Sequence, residues 1–573
     1  MKFSRRNFLN ASLSGVALVA WGGLASGLEW LLSPAKAAAQ SLANLARSVV
    51  PVPVPAASPK LRPTDVSKYA ESGYGLWRFG EPLAVPKRLD LMPANHGPAG
   101  VKPVSRLVRF FTISDIHVAD KESPAQLIAL GLKHGISAAY SPPMLYTTQV
   151  LDAAVRTINA IHELEPLDFG LSLGDTCNNT QYNELRWYLD VLDGKAITPS
   201  SGAHAGADSI DYQKPFQAAG LDKSIPWYQA RGNHDHFFIG SFPVTEYFRQ
   251  VYTGDEVLNL GDFLVDPKGI DSRGTYQGVI DGRTPYGDIV GMGPVADFPS
   301  PPKVVADPNR RSLTPKEWMA EFFHTTSTPV GHGFSQANVE NNFACYSFEP
   351  RSDIPLTVIV IDDTQREDDV DQPLSRTSSP GYGHGSLDKA RLDWLVGELD
   401  RGQAEGKLMI IAAHVPIGVA PPTSPVGWYA AAAISEPELL AKLHTYPNLV
   451  AWIAGHRHCN AITAFASPDA SRPELGFWQI ETASLRDFPQ QFRTFEILRN
   501  SDGTLSILAA DFNPDIQEGS PAATSRAYAV ATQQIVHNPR GYPPTGSYNA
   551  ELVVPLSPSM RAKLSNVGRP VRT

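Results

Sequence analysis

From residue 106 onwards, short apolar runs alternate with longer stretches in which apolar residues recur every three or four positions. The short runs "RLVRFFTISDIH" and "LDFGLSLGD" end in polar residues and predict buried strands. The stretches that follow them, "YTTQVLDAAVRTINAIHEL" and "YNELRWYLDVLDG", predict amphipathic helices. This alternation predicts an α/β domain in which helices cover both faces of the sheet structure.

The alternation continues further along the chain and then changes. Further strands are predicted at "IPWYQARGNHD", "PLTVIVIDDT", "KLMIIAAHVPIG" and "NLVAWIAGHRH", and further helices at "LDKARLDWLVGELDRG" and "PELLAKLHTYP". The runs "GFWQIETASLRDF", "FRTFEILRN" and "TLSILAADF" then follow one another without a helix. Consecutive strands indicate antiparallel pairing. The predicted sheets are therefore mixed.

Three segments lie outside this pattern. Residues 40–105 are rich in Pro, Ala and Ser and predict an N-terminal arm. Residues 238–342 are rich in Gly, Pro and Asp and contain one predicted helix, at "TPKEWMAEFFH". This insertion is either functional, for example as a small subdomain, or a surface decoration, and the pattern favours neither. Residues 501–573 form a C-terminal extension to which the sequence assigns no role.

The N-terminus has the features of an export signal. Lys2 precedes the twin-arginine motif "SRRNFLN", an apolar stretch follows, and "AKAAAQ" offers cleavage after Ala37 or Ala39. We therefore expect residues 1–39 to be a twin-arginine signal peptide and the protein to be periplasmic or secreted. The twin-arginine export machinery is then a partner, and no stable membrane span remains after cleavage. The alternative is an uncleaved membrane anchor, which Glu29 and the glycines of the stretch disfavour.

Composition narrows the class of protein. The 573 residues are 42% hydrophobic and 19% charged, which is typical of a globular protein. A formal net charge of −9 gives no indication of a nucleic-acid-binding surface, which is usually basic. Three cysteines allow at most one disulfide within the chain, so the fold does not depend on a disulfide framework.

Polar side chains follow five of the predicted strands, at the edge where ligand sites collect in α/β sheets. They are Asp115 and His117, then Asp175, then Asn233, His234 and Asp235, then His414, and finally His456 and His458. Carboxylate, amide and imidazole groups suit zinc, manganese or iron. A carboxylate such as Asp175 can bridge two ions, which together activate a water molecule and neutralise phosphoryl oxygens. The glycines before Asp175, Asn233 and His456 allow tight backbone turns.

The motifs "DIH", "GDTCN", "GNHD", "AAHVP" and "GHRH" occur in this order. In this respect the chain resembles the calcineurin-like metallophosphoesterases over about residues 106–500. The resemblance implies a four-layer α/β/β/α sandwich with mixed sheets and a binuclear centre of two divalent ions (Mn, Fe or Zn). It also implies that a hydroxide bridging the two ions is the nucleophile.

The resemblance also implies roles for individual residues. Asp115, His117 and His458 would hold one metal, Asn233, His414 and His456 the other, and Asp175 would bridge them. His234 would donate a proton to the leaving-group oxygen or steady the phosphoryl charge. Asp235 would orient the His234 imidazole.

One position departs from the family pattern. Asn178 stands where the family commonly has Asp, so we expect hydrogen bonding there to survive with a lower local charge. The purple acid phosphatase branch uses a tyrosine ligand at this position and lacks the histidine of the first motif. Asn178 and His117 therefore argue against that branch.

Together these features predict a metal-dependent phosphoester hydrolase acting on a small-molecule phosphoester that the sequence does not identify. One alternative is a phosphodiesterase or nucleotide pyrophosphatase instead of a monoesterase, because specificity resides in the loops around the pocket. Another is a non-catalytic, metal-stabilised binding protein of the cell envelope.

Several other residues have weaker claims. Cys177 and Cys459 are either thiolate ligands or disulfide partners, or else buried thiols. His236, His332 and His384 are either substrate contacts or have no role at the site, and Ser386 is expected to cap a helix. Asp362 and Asp363 are expected near the site with no ligand position to fill. Arg486 is expected either to bind a phosphate oxygen or to pair with Asp487.

Overall fold

The computed structural model describes residues 46–260, 274–364, 385, 387–417, 434–538, 541–542 and 544–571. The predicted signal peptide, residues 1–39, lies outside these ranges, as do His384 and Ser386.

The strands within the described ranges are β1 (Arg47–Pro51), β2 (Trp77–Pro82), β3 (Lys87–Arg88), β4 (Pro103–Ile113), β5 (Phe169–Ser172), β6 (Ala196–Ile197), β7 (Phe216–Gln217), β8 (Trp227–Gln229), β9 (Asn259–Leu260), β10 (Thr275–Ile280), β11 (Ile289–Pro294), β12 (Tyr346–Phe348), β13 (Leu356–Val360), β14 (Leu408–Ala412), β15 (Leu449–Ala454), β16 (Ala461–Phe465), β17 (Phe477–Glu481), β18 (Phe492–Asn500), β19 (Leu505–Phe512), β20 (Ala550–Val554) and β21 (Arg569–Pro570).

The α-helices in the same ranges are α1 (Ile128–His134), α2 (Thr147–Leu164), α3 (Tyr182–Leu192), α4 (Glu246–Thr253), α5 (Pro315–Glu321), α6 (Gln336–Asn341), α7 (Lys389–Ala404), α8 (Glu436–Leu443), α9 (Pro521–Val536) and α10 (Pro558–Leu564). By hydropathy and length, none of these described helices meets the requirements of a membrane span.

Two mixed sheets form the centre of the described structure. The larger has eight strands, in the order β3-β20-β19-β18-β4-β5-β8 with β21 also paired to β4. The smaller has six, in the order β12-β13-β14-β15-β17-β16. Strands β4, β5 and β8 are parallel, as are β13, β14, β15 and β17, whereas β18, β19 and β20 pair antiparallel. The prediction of mixed α/β sheets is confirmed.

Adjacent residues of β8 show how the layers stack. The ring of Tyr228 stacks on Phe348 of the six-stranded sheet, with ring centroids 3.5 Å apart. The next residue, Gln229, points the opposite way and accepts a hydrogen bond of 2.9 Å from Tyr188 of α3. Successive side chains of a strand point to opposite faces, so β8 faces the second sheet on one side and a helix on the other.

The six-stranded sheet has the same two-sided burial. In β14, Ile410 and Ala412 belong to the apolar core between the sheets. Met409 and Ile411 belong to a second apolar cluster, which contains Leu395 and Leu399 of α7 and Leu439 and Leu443 of α8. Helices, sheet, sheet and helices therefore form four layers, which agrees with the predicted α/β/β/α sandwich.

The segments outside the alternating pattern also contain regular structure. Within residues 238–342, the described part includes α4, the small sheet β11-β10-β9, α5 and α6. Within residues 501–573, β19 and β20 belong to the eight-stranded sheet. In the N-terminal arm, β3 pairs with β20 and β1 pairs with β2.

Candidate metal centre

Five parallel strands, from both sheets, end at one place. The register aligns Ile113, Ser172 and Gln229 at the ends of β4, β5 and β8, and it aligns Ala412 of β14 with Ile453 of β15. The loops that follow these strands carry Asp115, His117, Asp175, Asn233, His234, Asp235, His414, His456 and His458. The centre therefore lies at the carboxyl ends of strands, as predicted.

One group of side chains in this region can hold a metal ion. It consists of Asp115, His117, Asp175 and His458, whose ligand atoms all lie within 4.8 Å of one another. Nε2 of His458 lies 3.0 Å from Nε2 of His117 and 3.3 Å from Oδ1 of Asp115. Carboxylate and imidazole groups at this spacing are suited to zinc, manganese or iron.

A second group lies beside the first and consists of Asp175, His414 and His456. The amide oxygen of Asn233 joins it, because Oδ1 lies 2.9 Å from Nε2 of His414 and 3.1 Å from Nδ1 of His456. The amide nitrogen of Asn233 donates to the carbonyl of Gly240 at 2.9 Å. That hydrogen bond turns the oxygen of the amide toward the histidines.

Asp175 belongs to both groups. Its Oδ2 lies 3.6 Å from Nε2 of His117 and 3.3 Å from Nε2 of His414. Its Oδ1 accepts a hydrogen bond of 2.8 Å from the backbone N–H of His234, which holds the carboxylate in place. The structure thus brings all seven predicted ligands together, with the carboxylate of Asp175 between two donor sets.

The hydrogen bonds of His414 show that the centre is suited to cations. Nδ1 of His414 lies 2.7 Å from the carbonyl oxygen of Leu173. A carbonyl only accepts, so Nδ1 carries the proton and the lone pair of a neutral ring is on Nε2. That lone pair faces the oxygens of Asn233 and Asp175. Acceptor atoms facing one another repel unless a proton or a metal ion lies between them, so the donor set fits divalent ions.

The backbone of the centre is strained. Five of the seven predicted ligands have positive φ, which is unusual for residues other than glycine: Asp115 (51°), His117 (47°), Asp175 (52°), His456 (69°) and His458 (56°). Each such conformation costs on the order of 1–3 kcal/mol and persists only where the surroundings enforce it. Here backbone hydrogen bonds link the loops, from Asp115 to the carbonyl of Gly174 and from His117 to that of Asp175.

The three glycines of the motifs act in two ways. Gly174 has a φ of 96° and so provides the tight turn that was predicted. Gly232 and Gly455 instead allow close approach between loops. A Cβ atom on Gly232 would lie 2.2 Å from the backbone nitrogen of Asp175, and a Cβ atom on Gly455 would lie 1.8 Å from Oγ of Ser114. The ligand loops can therefore converge only with glycine at both positions.

His234 lies at the edge of the two donor groups with a defined tautomer. It is 5% exposed, and its ring meets that of His117 edge to face with centroids 4.5 Å apart. Its Nδ1 lies 2.7 Å from the carbonyl oxygen of Asn178, so Nδ1 carries the proton. Burial lowers the pKa of the His234 imidazole, although the charge of Asp175 opposes the shift. Nε2 is then the nitrogen that can exchange a proton with a ligand.

The prediction that Asp235 orients the His234 imidazole is wrong, because the Asp235 carboxylate has other partners. It accepts hydrogen bonds from the backbone N–H groups of Asp175, Thr176, Cys177 and Gly232 at 2.8–3.1 Å. Asp235 therefore shapes the loop that carries Asp175. Burial and the neighbouring charge of Asp175 raise the pKa of Asp235 to about 6.

No protein-family model matches the chain, and no curated protein matches it. Among solved structures, a dimetal phosphatase from Danio rerio is similar at 11% sequence identity and a TM-score of 0.37. The match covers 72% of this chain and 100% of that one.

The sequence prediction did not include Asp487 among the residues of the centre. Its Oδ2 lies 2.6 Å from Nδ1 of His458, on the side of the ring opposite Nε2, which faces His117 and Asp115. Burial opposes ionisation, but the hydrogen bond from His458 outweighs it and lowers the pKa of Asp487 to about 2. A signal for this residue was present, because Asp487 lies in the polar stretch that follows β17, next to β15 in the sheet.

Asp363 and Asn178 lie beside the centre and hydrogen-bond to residues that form it. Asp363 accepts hydrogen bonds from the backbone N–H groups of His414 and Val415 at 3.1–3.2 Å, so it lies near the centre without being a ligand, as predicted. The expected hydrogen bonding of Asn178 is confirmed through its backbone carbonyl and through its Oδ1, which accepts from Arg486 at 2.6 Å. The expected pairing of Arg486 with Asp487 is not formed. The Asp487 carboxylate hydrogen-bonds to His458, and the terminal nitrogens of Arg486 donate to Asn178 and to the carbonyl of Ser137, among others.

The remaining candidates have structural partners. His236 is 1% exposed and hydrogen-bonds Oγ1 of Thr364 at 2.7 Å. His332 stacks on Trp227 with ring centroids 3.6 Å apart, so it packs beneath β8. Cys177 is a buried free thiol, so the disulfide with Cys459 is not formed.

Proposed function

We propose that the protein is a metal-dependent phosphoester hydrolase with two divalent ions, of Mn, Fe or Zn. The observation that carries this proposal is the position of Asp175 Oδ2 between two donor groups. In this proposal one ion is held by Asp115, His117 and His458, the other by Asn233, His414 and His456, and both by Asp175. Two ions so placed supply an activated water molecule and neutralise the charge of a phosphoryl group.

The protein's own contribution to the reaction comes from His234. Its ring is oriented by the hydrogen bond from Nδ1 to the Asn178 carbonyl, which leaves Nε2 to act on the substrate. In our proposal the ring acts as the imidazolium, which carries a proton on each nitrogen once the negative charge of the substrate lies beside it: Nε2 then donates its proton to the leaving-group oxygen or hydrogen-bonds a phosphoryl oxygen. General acid catalysis of this kind contributes about 10²- to 10⁴-fold to a rate.

The substrate is proposed at the level of its class, a phosphoester of a small molecule. A phosphodiesterase or a nucleotide pyrophosphatase would use the same centre, because the loops around it select the ester. We also propose, from the motif "SRRNFLN" and the small residues before position 40, that the twin-arginine machinery exports the folded protein to the periplasm.

Activity on chromogenic esters tests the proposal. Protein loaded with manganese, zinc or iron and verified by metal analysis is assayed on p-nitrophenyl phosphate and bis-p-nitrophenyl phosphate. The expected result is metal-dependent turnover of at least one ester. The ester that is preferred shows whether the protein is a monoesterase or a diesterase. An absence of turnover in metal-loaded protein on a broad ester panel would support a non-catalytic binding protein instead.

A matched pair of variants excludes a contaminating phosphatase. Asp175→Asn removes a charge shared by both donor groups and is expected to lower metal content and activity together. His324→Gln changes an exposed histidine whose Nδ1 lies 3.8 Å from Oε2 of Glu321. It is expected to leave both quantities unchanged.

A further inference from the structure

Arg486 is a buried cation whose hydrogen bonds in the structure all go to neutral oxygens. It is 0% exposed. Its Nη1 donates to Oδ1 of Asn178 at 2.6 Å and to the carbonyl of Ala138 at 3.1 Å. Its Nη2 donates to the carbonyl of Ser137 at 2.8 Å and to Oγ of Ser141 at 3.3 Å. Burying a charge is costly unless its hydrogen bonds are satisfied, so such an arginine is expected to serve a specific purpose.

Asn178 connects this arginine to His234. Its side-chain oxygen is held by Arg486, and its backbone N–H donates to the carbonyl of Val118 at 2.9 Å. Its own carbonyl accepts the proton of His234 Nδ1 at 2.7 Å. The residue is therefore fixed on two sides and presents its carbonyl to the imidazole.

We propose that Arg486 is a positioning residue for His234 and acts through Asn178. This inference rests on the proposed function. By fixing the Asn178 carbonyl, Arg486 determines the direction in which Nε2 of His234 points, and small displacements of a reacting group cost large factors in rate.

A direct contact between Arg486 and substrate is disfavoured by the same geometry. Both terminal nitrogens already donate within the protein, and the side chain is fully buried. Nε is the one nitrogen of this side chain with no hydrogen-bond partner among the described residues. The four hydrogen bonds of the terminal nitrogens and the lack of any exposed surface therefore leave Arg486 without a path to a substrate.

The test uses the difference between good and poor leaving groups. An aryl ester such as p-nitrophenyl phosphate needs little protonation of its leaving oxygen, whereas an alkyl ester needs much more. The same comparison is made with diesters if the wild type hydrolyses that class. Arg486→Gln is expected to lower kcat/KM for the alkyl ester by about 10²-fold and for the aryl ester far less. Metal content is expected to stay unchanged.

Two further variants keep the test decisive. Asn178→Ala removes the side-chain oxygen but keeps the backbone carbonyl, so it is expected to give the same selective loss even if Arg486→Gln does not fold. Arg493→Gln is the matched control. Arg493 is also fully buried, and its terminal nitrogens donate to the backbone carbonyls of Tyr548 and Ser547, which are not part of the centre. Its replacement is expected to affect both esters equally.

A double-mutant cycle with His234→Ala provides the final criterion. If Arg486 acts through His234, either Arg486→Gln or Asn178→Ala causes little further loss once the imidazole is gone. Three outcomes would overturn this inference and leave the proposed function standing. They are equal losses on both esters, losses that add to that of His234→Ala, and loss of metal. A wild type that binds metal but hydrolyses no ester would overturn the proposed function and this inference together.

Discussion

Asp487 and His458 are joined by a hydrogen bond of 2.6 Å between Oδ2 and Nδ1. Nε2 of the same imidazole lies 3.3 Å from Oδ1 of Asp115. A carboxylate in this position fixes the orientation of a ligand histidine and increases its basicity. Asp487 thus supports the first donor group from behind.

We therefore expect Asp487→Asn to weaken binding of one of the two metal ions by about 10- to 100-fold. Competition with a chromophoric chelator measures the affinity of each site. Asp469→Asn is the control, because Asp469 is exposed and hydrogen-bonds within its own turn to Ser471. Equal affinities in wild type and Asp487→Asn would show that the hydrogen bond does not support the site.

Metal binding is expected to release protons. In the metal-free protein, burial opposes protonation of His414 and His458. The carboxylates of Asp175 and Asp115 outweigh burial and raise the pKa of each to about 10. Metals bind the neutral imidazole, so protons compete with the ions below this pKa and affinity rises with pH from neutral toward pH 10.

Calorimetry in buffers of different ionisation enthalpy measures this release. At pH 7 we expect roughly two protons per chain on loading with zinc, because two histidines lose their charge. A heat that is the same in all buffers would mean that the histidines are already neutral in the free protein.

Gly232 is expected to tolerate no side chain. A Cβ atom there would lie 2.2 Å from both the backbone nitrogen and Oδ1 of Asp175. Gly232→Ala should therefore lower the free energy of unfolding by about 1–3 kcal/mol through overpacking and should weaken metal binding as well.

Gly397 offers a matched control for this substitution. It lies within α7, and a Cβ atom there meets nothing within 4 Å. Gly397→Ala should raise the free energy of unfolding by about 0.5–1 kcal/mol, because alanine is the better helix former. Urea denaturation compares the two variants, and equal effects would mean that the contact at Gly232 is relieved at little cost.

The sequence predicted the sheets and the polar residues at the strand ends because both depend on local pattern, whereas the choice of seven of those residues as ligands came from the order of the five motifs and the resemblance that it carries. Apolar runs of strand length end in polar residues, and parallel strands bring such ends together. Asp115 and His414 are 299 positions apart, yet each was found from the strand before it.

Features that depend on contacts between loops were not predictable in this way. The positive φ of Asp115 and His456 is imposed by the hydrogen bonds that join their loops. The carboxylate of Asp235 turns away from the adjacent His234 because four backbone N–H groups converge on it. The pairing of Asp487 with His458 depends on the order of β15 and β17 in the sheet, which the chain order does not reveal.

Electron paramagnetic resonance of the manganese-loaded protein shows whether two metal ions share the carboxylate of Asp175. Two Mn²⁺ ions about 3.5–4 Å apart that share a carboxylate are magnetically coupled. We predict two ions per chain with the spectrum of a coupled pair, and loss of the coupling in Asp175→Asn. One ion per chain, or two ions with uncoupled spectra in the wild type, would contradict the account.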